Sequence, residues 1–356
     1  MIRFIASVGR RFCRSEKLLF LFIVVYIAIA YLAATAVGRS DSFSLFIYPK
    51  TMVDIGLPVA ALLLCARYTF VMVRIRPARL FAYIAADLKE KVFSTERIIK
   101  SVPLAILLVL FISTFTSMKN LIPVFHEYNW DERFMVLDRM LHLGWHPWQF
   151  FEPALKQPLV TYLINVTYNT WFFVMLAVLF WQVFSLKNRF LRMRFLWVFV
   201  SAWVIGGNLM AIVFASTGPC FYSTFASGPN PYVPLMDYLN QANQHFDIWA
   251  IETQNALLSA HVDNRLGIGV GISAMPSMHV ASATIFALVG LDTNRFLGCM
   301  LVAYGIMIYI GSIYLAWHYA VDGIAGGIFV LALWSFAGKM LRRDSTLITS
   351  DQTVRE

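Results

Sequence analysis

The sequence predicts an all-α, polytopic membrane protein with about eight transmembrane helices. Three observations carry this. Of its 356 residues 59% are hydrophobic, and the mean hydropathy of +0.66 is too high for a soluble domain, whose surface must carry more charge. Apolar stretches near the length that crosses a bilayer recur along the chain. Basic residues cluster beside those stretches, so the net charge of +9 reads as membrane topology and no nucleic-acid partner is expected.

The spans are expected near residues 18–38, 54–73, 102–118, 158–184, 195–216, 277–292, 297–316 and 320–340. Arg3, Arg10, Arg11, Arg14 and Lys17 precede the first, which ends in a small-residue "ATA" resembling a cleavage site; its length favours a retained helix over a signal peptide. Arg67 falls inside the second span near its cytoplasmic end and reads as snorkelling to the surface. "LFAYIAADLKEKVF" sets Phe81, Ile84 and Leu88 at helical spacing among charges, the pattern of a cytoplasmic interfacial helix. "NWDERFMVLDRMLHLGWHPWQFFEP", from Asn129 to Pro153, is aromatic-rich and mixed in charge, and fits a helix at the outer headgroup level. The outer stretch from Ser216 to Ser273 includes "STGPCFYSTFASGPNPYVP", whose Gly, Pro and Ser forbid long regular structure. It reads as an ordered wall over a membrane site, with Tyr222 a candidate substrate contact. The chain thus divides into an N-terminal two-span region with its interfacial helix (1–100), a catalytic membrane domain (101–343) and a cytoplasmic tail (344–356).

Basic residues crowd the N-terminus, the connections around 74–100, 187–194 and 295, and the end of the last span. The alternate connections hold only Arg39, Lys50, Lys119, Arg133, Arg139, Lys156 and Arg265, which places both termini in the cytoplasm. All seven histidines then fall on the outer side, marking it as the chemical face. Cys13, Cys65, Cys220 and Cys299 show no paired spacing, so neither a disulfide framework nor a cysteine metal site is expected.

Two short motifs carry chemistry. In "YLAWHYAVDG", His318 and Asp322 are four residues apart and share one helical face. Asp322 can accept the proton of one ring nitrogen, fixing the tautomer and leaving the other nitrogen as a lone-pair nucleophile. In "SAMPSMHVAS", His279 lies at the mouth of another span, where it can face that pair as general acid. Pro276 suits a helix's first turn, and the amides there, with the Ser277 hydroxyl, form a phosphate seat. A hairpin of two spans joins the motifs and returns both to one face. The combination points to displacement at phosphorus.

These motifs resemble those of the type-2 phosphatidic acid phosphatase superfamily, whose typical motifs are PSGH and SRx5Hx3D preceded by KxxxxxxRP. "PSMH" is similar to the first, with Met278 for Gly, and "SIYLAWHYAVD" supplies the His and Asp of the second. Ser312 stands where that family's phosphate-binding Arg is expected, and no outward-facing KxxxxxxRP is found. The departures, with "HYAVDGIAGG", resemble the inositol-phosphorylceramide synthase branch and sphingomyelin synthases. "VLDRMLHLGWHPW" resembles a segment of its bacterial relatives. The resemblance covers roughly residues 195–340, more weakly from 129. It implies a six-helix catalytic core, His318 as nucleophile, Asp322 as its orienter, His279 as acid, no metal or other cofactor, and a bacterial inner-membrane setting.

A dianionic phosphomonoester wants several cations, whereas a diester carries one negative charge. The missing basic residues therefore tilt the expectation toward transfer of a phosphate-linked headgroup from a lipid donor to a hydroxyl acceptor. Arg265, Arg139 and Arg133 are the cations that could fold over the site. The alternatives are a lipid phosphate phosphatase and, from another class, a lipid transporter on a retired enzyme scaffold. Asp138, His142 and His146 have a spacing that metal ligands use, but Gly144 and Pro147 end that helix before His146, so metal binding is not expected.

Overall fold

The computed structural model describes residues 12–263, 265–344 and 347. The basic residues Arg3, Arg10 and Arg11, and nearly all of the tail expected at 344–356, lie outside the described residues. The described chain is helical, without strands. The helices are α1 (Arg14–Ala36), α2 (Pro49–Ile75), α3 (Leu80–Asp87, extended by a wide turn, Leu88–Val92), α4 (Thr95–Asn120), α5 (Asp131–Leu141), α6 (Pro147–Leu155) and α7 (Pro158–Phe184), with short turns between them. They continue with α8 (Arg189–Val213), α9 (Val233–Asn243), α10 (Trp249–Val262), α11 (Met278–Thr293), α12 (Arg295–Tyr314) and α13 (Ala320–Leu341).

Among the described residues seven helices, α1, α2, α4, α7, α8, α12 and α13, are long and apolar enough to cross a membrane, and the 16-residue apolar α11 joins them. The protein is an all-α polytopic membrane protein. Helices α4 and α8 start about two turns before the apolar windows, because their first turns carry charged residues. Polar caps fix those starts: Ser94, Asn188 and Asn294 each accept an amide N–H three residues on. The stretch from 216 to 273 departs from expectation. Its first part is irregular, but α9 and α10 fill much of the rest.

Helices α1, α4, α7, α8, α11 and α13 share one apolar core, including Ile23, Leu108, Leu179, Phe199, Phe286 and Val330. A second core joins α5, α6, α9, α10 and the turn between α12 and α13. Gly323 lies close against Tyr309 of α12, where a Cβ would stand 2.6 Å from the ring, so this glycine serves packing within the chain.

Polar pairs lock the end of the bundle where α1 and α8 begin. Arg192, 1% exposed, pairs with Glu16 of α1 at 2.7 Å. Arg67 does not simply snorkel: it forms a two-pronged ion pair with Asp87 of α3, at 2.8 and 3.0 Å. Tyr26 donates to Asn208 in mid-membrane at 2.5 Å, so α1 is wired into the body at two levels. Arg192→Met should cost about 3–5 kcal/mol, because it leaves a buried carboxylate unpaired. Adding Glu16→Met should recover most of that loss, and equilibrium unfolding in mixed micelles reads both.

Candidate active site

The C-terminal ends of α4 and α8 and the N-terminal halves of α7 and α11 surround a cavity of about 330 Å³, lined by His279 and His318. Their ring centroids are 6.1 Å apart. His279 sits in the first turn of α11, which Ser277 caps by accepting the Val280 N–H at 3.5 Å. Its ring is held between Tyr168, stacked at 4.7 Å, and Trp171 at 4.2 Å. Trp171 is fixed in turn by donating Nε1–H to Ser282 Oγ at 2.8 Å. Two aromatic neighbours thus set the plane in which His279 meets the cavity.

His318 lies in the turn between α12 and α13. Its N–H donates to the Ser312 carbonyl at 2.9 Å, and Ala316 takes a left-handed conformation (φ 60°) to make the turn. That conformation is strained for a residue with a Cβ, and strain of this kind gathers at functional sites. His318 Nδ1 stands 3.4 Å from Asp322 Oδ2. The contact is off the hydrogen-bond line, so Nδ1 and Asp322 Oδ1 are both buried without a partner. Asp322 Oδ2 accepts the Tyr319 N–H at 2.9 Å, which fixes the carboxylate.

The two motifs touch through backbone. Ser277 N–H donates to the Asp322 carbonyl at 3.0 Å. Gly326 permits this approach, since a Cβ there would stand 2.8 Å from the Ser277 carbonyl oxygen. Two buried carboxylates of α5 hold the assembly from outside. Asp138 accepts the amides of Ala320 and Val321 at 2.8 and 2.9 Å, satisfying the first turn of α13. Asp131 accepts the Thr217 and Gly218 amides at 3.0 and 2.9 Å and the Tyr319 hydroxyl at 2.8 Å. Gly218, at φ 93°, is required there: a Cβ would lie 2.4 Å from the Trp317 carbonyl oxygen.

Burial, and after it the charge of Lys119, push the His318 ring down to about 3, against a smaller opposing hydrogen bond that the ring donates to the Ala274 carbonyl. His318 is therefore neutral at physiological pH, the form with a lone pair to give. Lys119, in the last turn of α4, is among the described residues the single Lys or Arg lining the cavity. The sequence reading counts it only for topology.

The other predicted contacts fall elsewhere. Ser277 is fully buried, spends its hydroxyl on the α11 cap and does not line the cavity. Arg265 pairs with Asp263 at 3.0 Å on the surface. Arg139 donates to the Gly144 carbonyl at 3.1 Å. Arg133 stacks over Trp130. Tyr222 is buried against Tyr232 at 5.6 Å, away from the cavity. Of the stretch expected to form a substrate wall, Thr253, Leu257 and residues 268–273 do line it. Asp138 is committed to the α13 amides, while His142 Nδ1 lies 2.7 Å from the Asp138 carbonyl oxygen and His146 opens α6 with Gln149. Among the described residues no three His, Cys, Asp or Glu side chains are grouped to hold a metal.

A family model described as the PAP2 superfamily matches residues 132–336, more than half of the chain, from α5 into the last helix. No curated protein and no solved structure matches the chain.

Burial raises the Asp138 carboxyl from its ordinary 3.8 to about 7, despite the two amides that favour its anion. Within that window the native protein holds the proton more tightly than the unfolded chain does, so this group's contribution to stability declines as pH rises from about 4 to 7. Asp138→Asn cannot titrate. Its unfolding midpoint, followed from pH 4 to 8, should fall less steeply than that of the parent protein.

Proposed function

The chain belongs to the PAP2 superfamily, whose enzymes are of the phosphatase and phosphotransferase type, and on that footing we propose that it transfers a phosphate-linked headgroup from a lipid donor to a hydroxyl acceptor. One observation carries the proposal: His279 and His318 face each other at 6.1 Å across a cavity whose lining, among the described residues, includes one Lys and no Arg. A single cation suits a singly charged phosphodiester better than a dianionic monoester.

In the first step the neutral ring of His318 attacks phosphorus. A nitrogen–phosphorus bond forms, the bond to the donor's glycerol or alcohol oxygen breaks, and His279, protonated once the anionic phosphate lies beside it, gives that oxygen its proton. Asp322 accepts a hydrogen bond from the Nδ1–H of His318 and stabilises the ring while it is cationic. In the second step His279, now neutral, removes the proton of the acceptor hydroxyl. The acceptor oxygen attacks phosphorus, and the nitrogen–phosphorus bond breaks. Lys119 balances the charge on the phosphoryl oxygens in both transition states.

The distribution of basic residues supports an outward-facing site with both termini in the cytoplasm. Ser312 in place of an Arg, with "HYAVDGIAGG", supports a place near the inositol-phosphorylceramide synthase branch and a bacterial inner membrane as its setting.

The test is incubation of the purified protein with labelled phospholipid, with and without a lipid alcohol or ceramide, and product analysis by mass spectrometry. The expected product is a new phosphodiester lipid that disappears in His318→Ala. Release of free phosphate from phosphatidic acid, whatever acceptor is present, would replace this reading with hydrolysis. Lys119→Met should lower kcat about 10²- to 10³-fold, the loss seen when one group facing developing charge is removed, and the same assay measures it.

A further inference from the structure

We infer that a hydrocarbon chain of a substrate lipid seats in an apolar lobe of the cavity that the N-terminal hairpin closes. The inference rests on the transfer reading for the headgroup end only. The cavity does not stop at the histidines. On α4 its lining runs from Lys119 through Thr116 and Phe115 to Ile112, and on α7 from Tyr168 to Met175. Seven helical residues span about 10 Å. The two helices are antiparallel, so both descents lead the same way, from the histidines toward the cytoplasmic side.

The far end is apolar, walled by Ile112, Phe115, Met175 and Trp203. Phe115 and Trp203 meet edge to face at 4.6 Å. A Cβ on Gly207 would stand 2.6 Å from the Phe115 ring, so the glycine lets that ring tuck against α8 instead of filling the lobe. Here α8 opens into wide turns over Ala202–Met210, a feature that gathers at functional sites.

The remaining wall comes from Tyr48 and Met52 at the start of α2, outside the family match at 132–336. Tyr48 is pinned at three points. Its N–H donates to Ser113 Oγ at 3.3 Å, and its hydroxyl accepts from Thr116 Oγ1 at 3.2 Å and from the Gly269 N–H at 3.0 Å. One side chain thus ties the hairpin, α4 and the loop over the cavity. Next to this wall α2 turns Val53, Leu57 and Leu62 outward, 58–69% exposed, as a lipid-facing surface.

Water in such a lobe lacks polar partners. A chain that leaves the bilayer for the lobe exchanges one apolar environment for another and gains little in transfer. The lobe therefore sets the register of the phosphate against His318 more than it adds affinity. The chain belongs to the donor or to the acceptor, and labelled forms of each separate the two.

The experiment uses the full chain in nanodiscs with a phosphodiester lipid bearing a diazirine at its chain end and, separately, a long-chain alcohol bearing the same group. After photolysis, adducts are mapped by peptide mass spectrometry. The expected result is insertion within residues 112–116, 172–175 or 203–207 by at least one probe, competed away by excess unlabelled lipid of that class. Met52→Trp should reduce insertion at least fivefold, and Met52→Leu should leave it unchanged. Insertion confined to lipid-facing Leu57 and Leu62, or insertion that unlabelled lipid does not compete, overturns the proposal. His318→Ala should retain the adducts, so loss of the transfer reading leaves the lobe standing, and loss of the lobe leaves the transfer assay intact.

Discussion

The site depends on a pair of buried carboxylates that reach from a short surface helix to the backbone of the last span. Helix α13 begins beneath the outer surface, where its first amides have no carbonyl of their own. Asp138 accepts two of them, and Asp131 takes Tyr319 together with the loop at Thr217 and Gly218. These bonds fix where α13 starts, and that start fixes His318 and Asp322. The Ser277–Asp322 backbone bond carries the same constraint to α11 and His279. Without the α5 carboxylates each of these positions would be set by apolar packing alone, which is less directional than a hydrogen bond to a charged group.

The boundary drawn at residue 100 marks a change in sequence character, but packing crosses it freely. Glu16 meets Arg192, Tyr26 meets Asn208 and Tyr48 meets Ser113 and Thr116. The hairpin of α1 and α2 is bonded to the body at both ends of the bundle and in the middle. Its removal would leave buried polar groups without partners at all three levels.

Much of this was legible in one sequence. Apolar run length locates the eight spans, since a bilayer imposes that length whatever the tertiary structure. His279, His318 and Asp322 stood out because titratable residues at the mouths of apolar helices are costly and few. What was missed depends on chain closure. Lys119 looks like one more outer charge, and no spacing rule links it to residues 279 and 318. Asp138 with His142 and His146 matches a ligand pattern as well as it matches a cap, and only the arrival of Ala320 and Val321 decides. Arg67 has its partner twenty residues away, beyond any periodicity. The Gly and Pro density near residues 216–234 described that segment correctly but said nothing of α9 and α10 beyond it.

Helix α11 has 16 residues. It rises about 24 Å, less than the roughly 30 Å of a bilayer's hydrocarbon layer. In the orientation proposed above, with its inner end at the cytoplasmic boundary, His279 would lie below the plane where headgroups are fully hydrated. A phosphate that reacts there must shed part of its hydration shell, and in so thin a dielectric each uncompensated charge is expensive. One ammonium against one diester charge makes a neutral pair that can settle to that depth. On the proposed reading, the shortness of a single helix becomes a filter on the valence of the substrate, set by the electrical cost of descent.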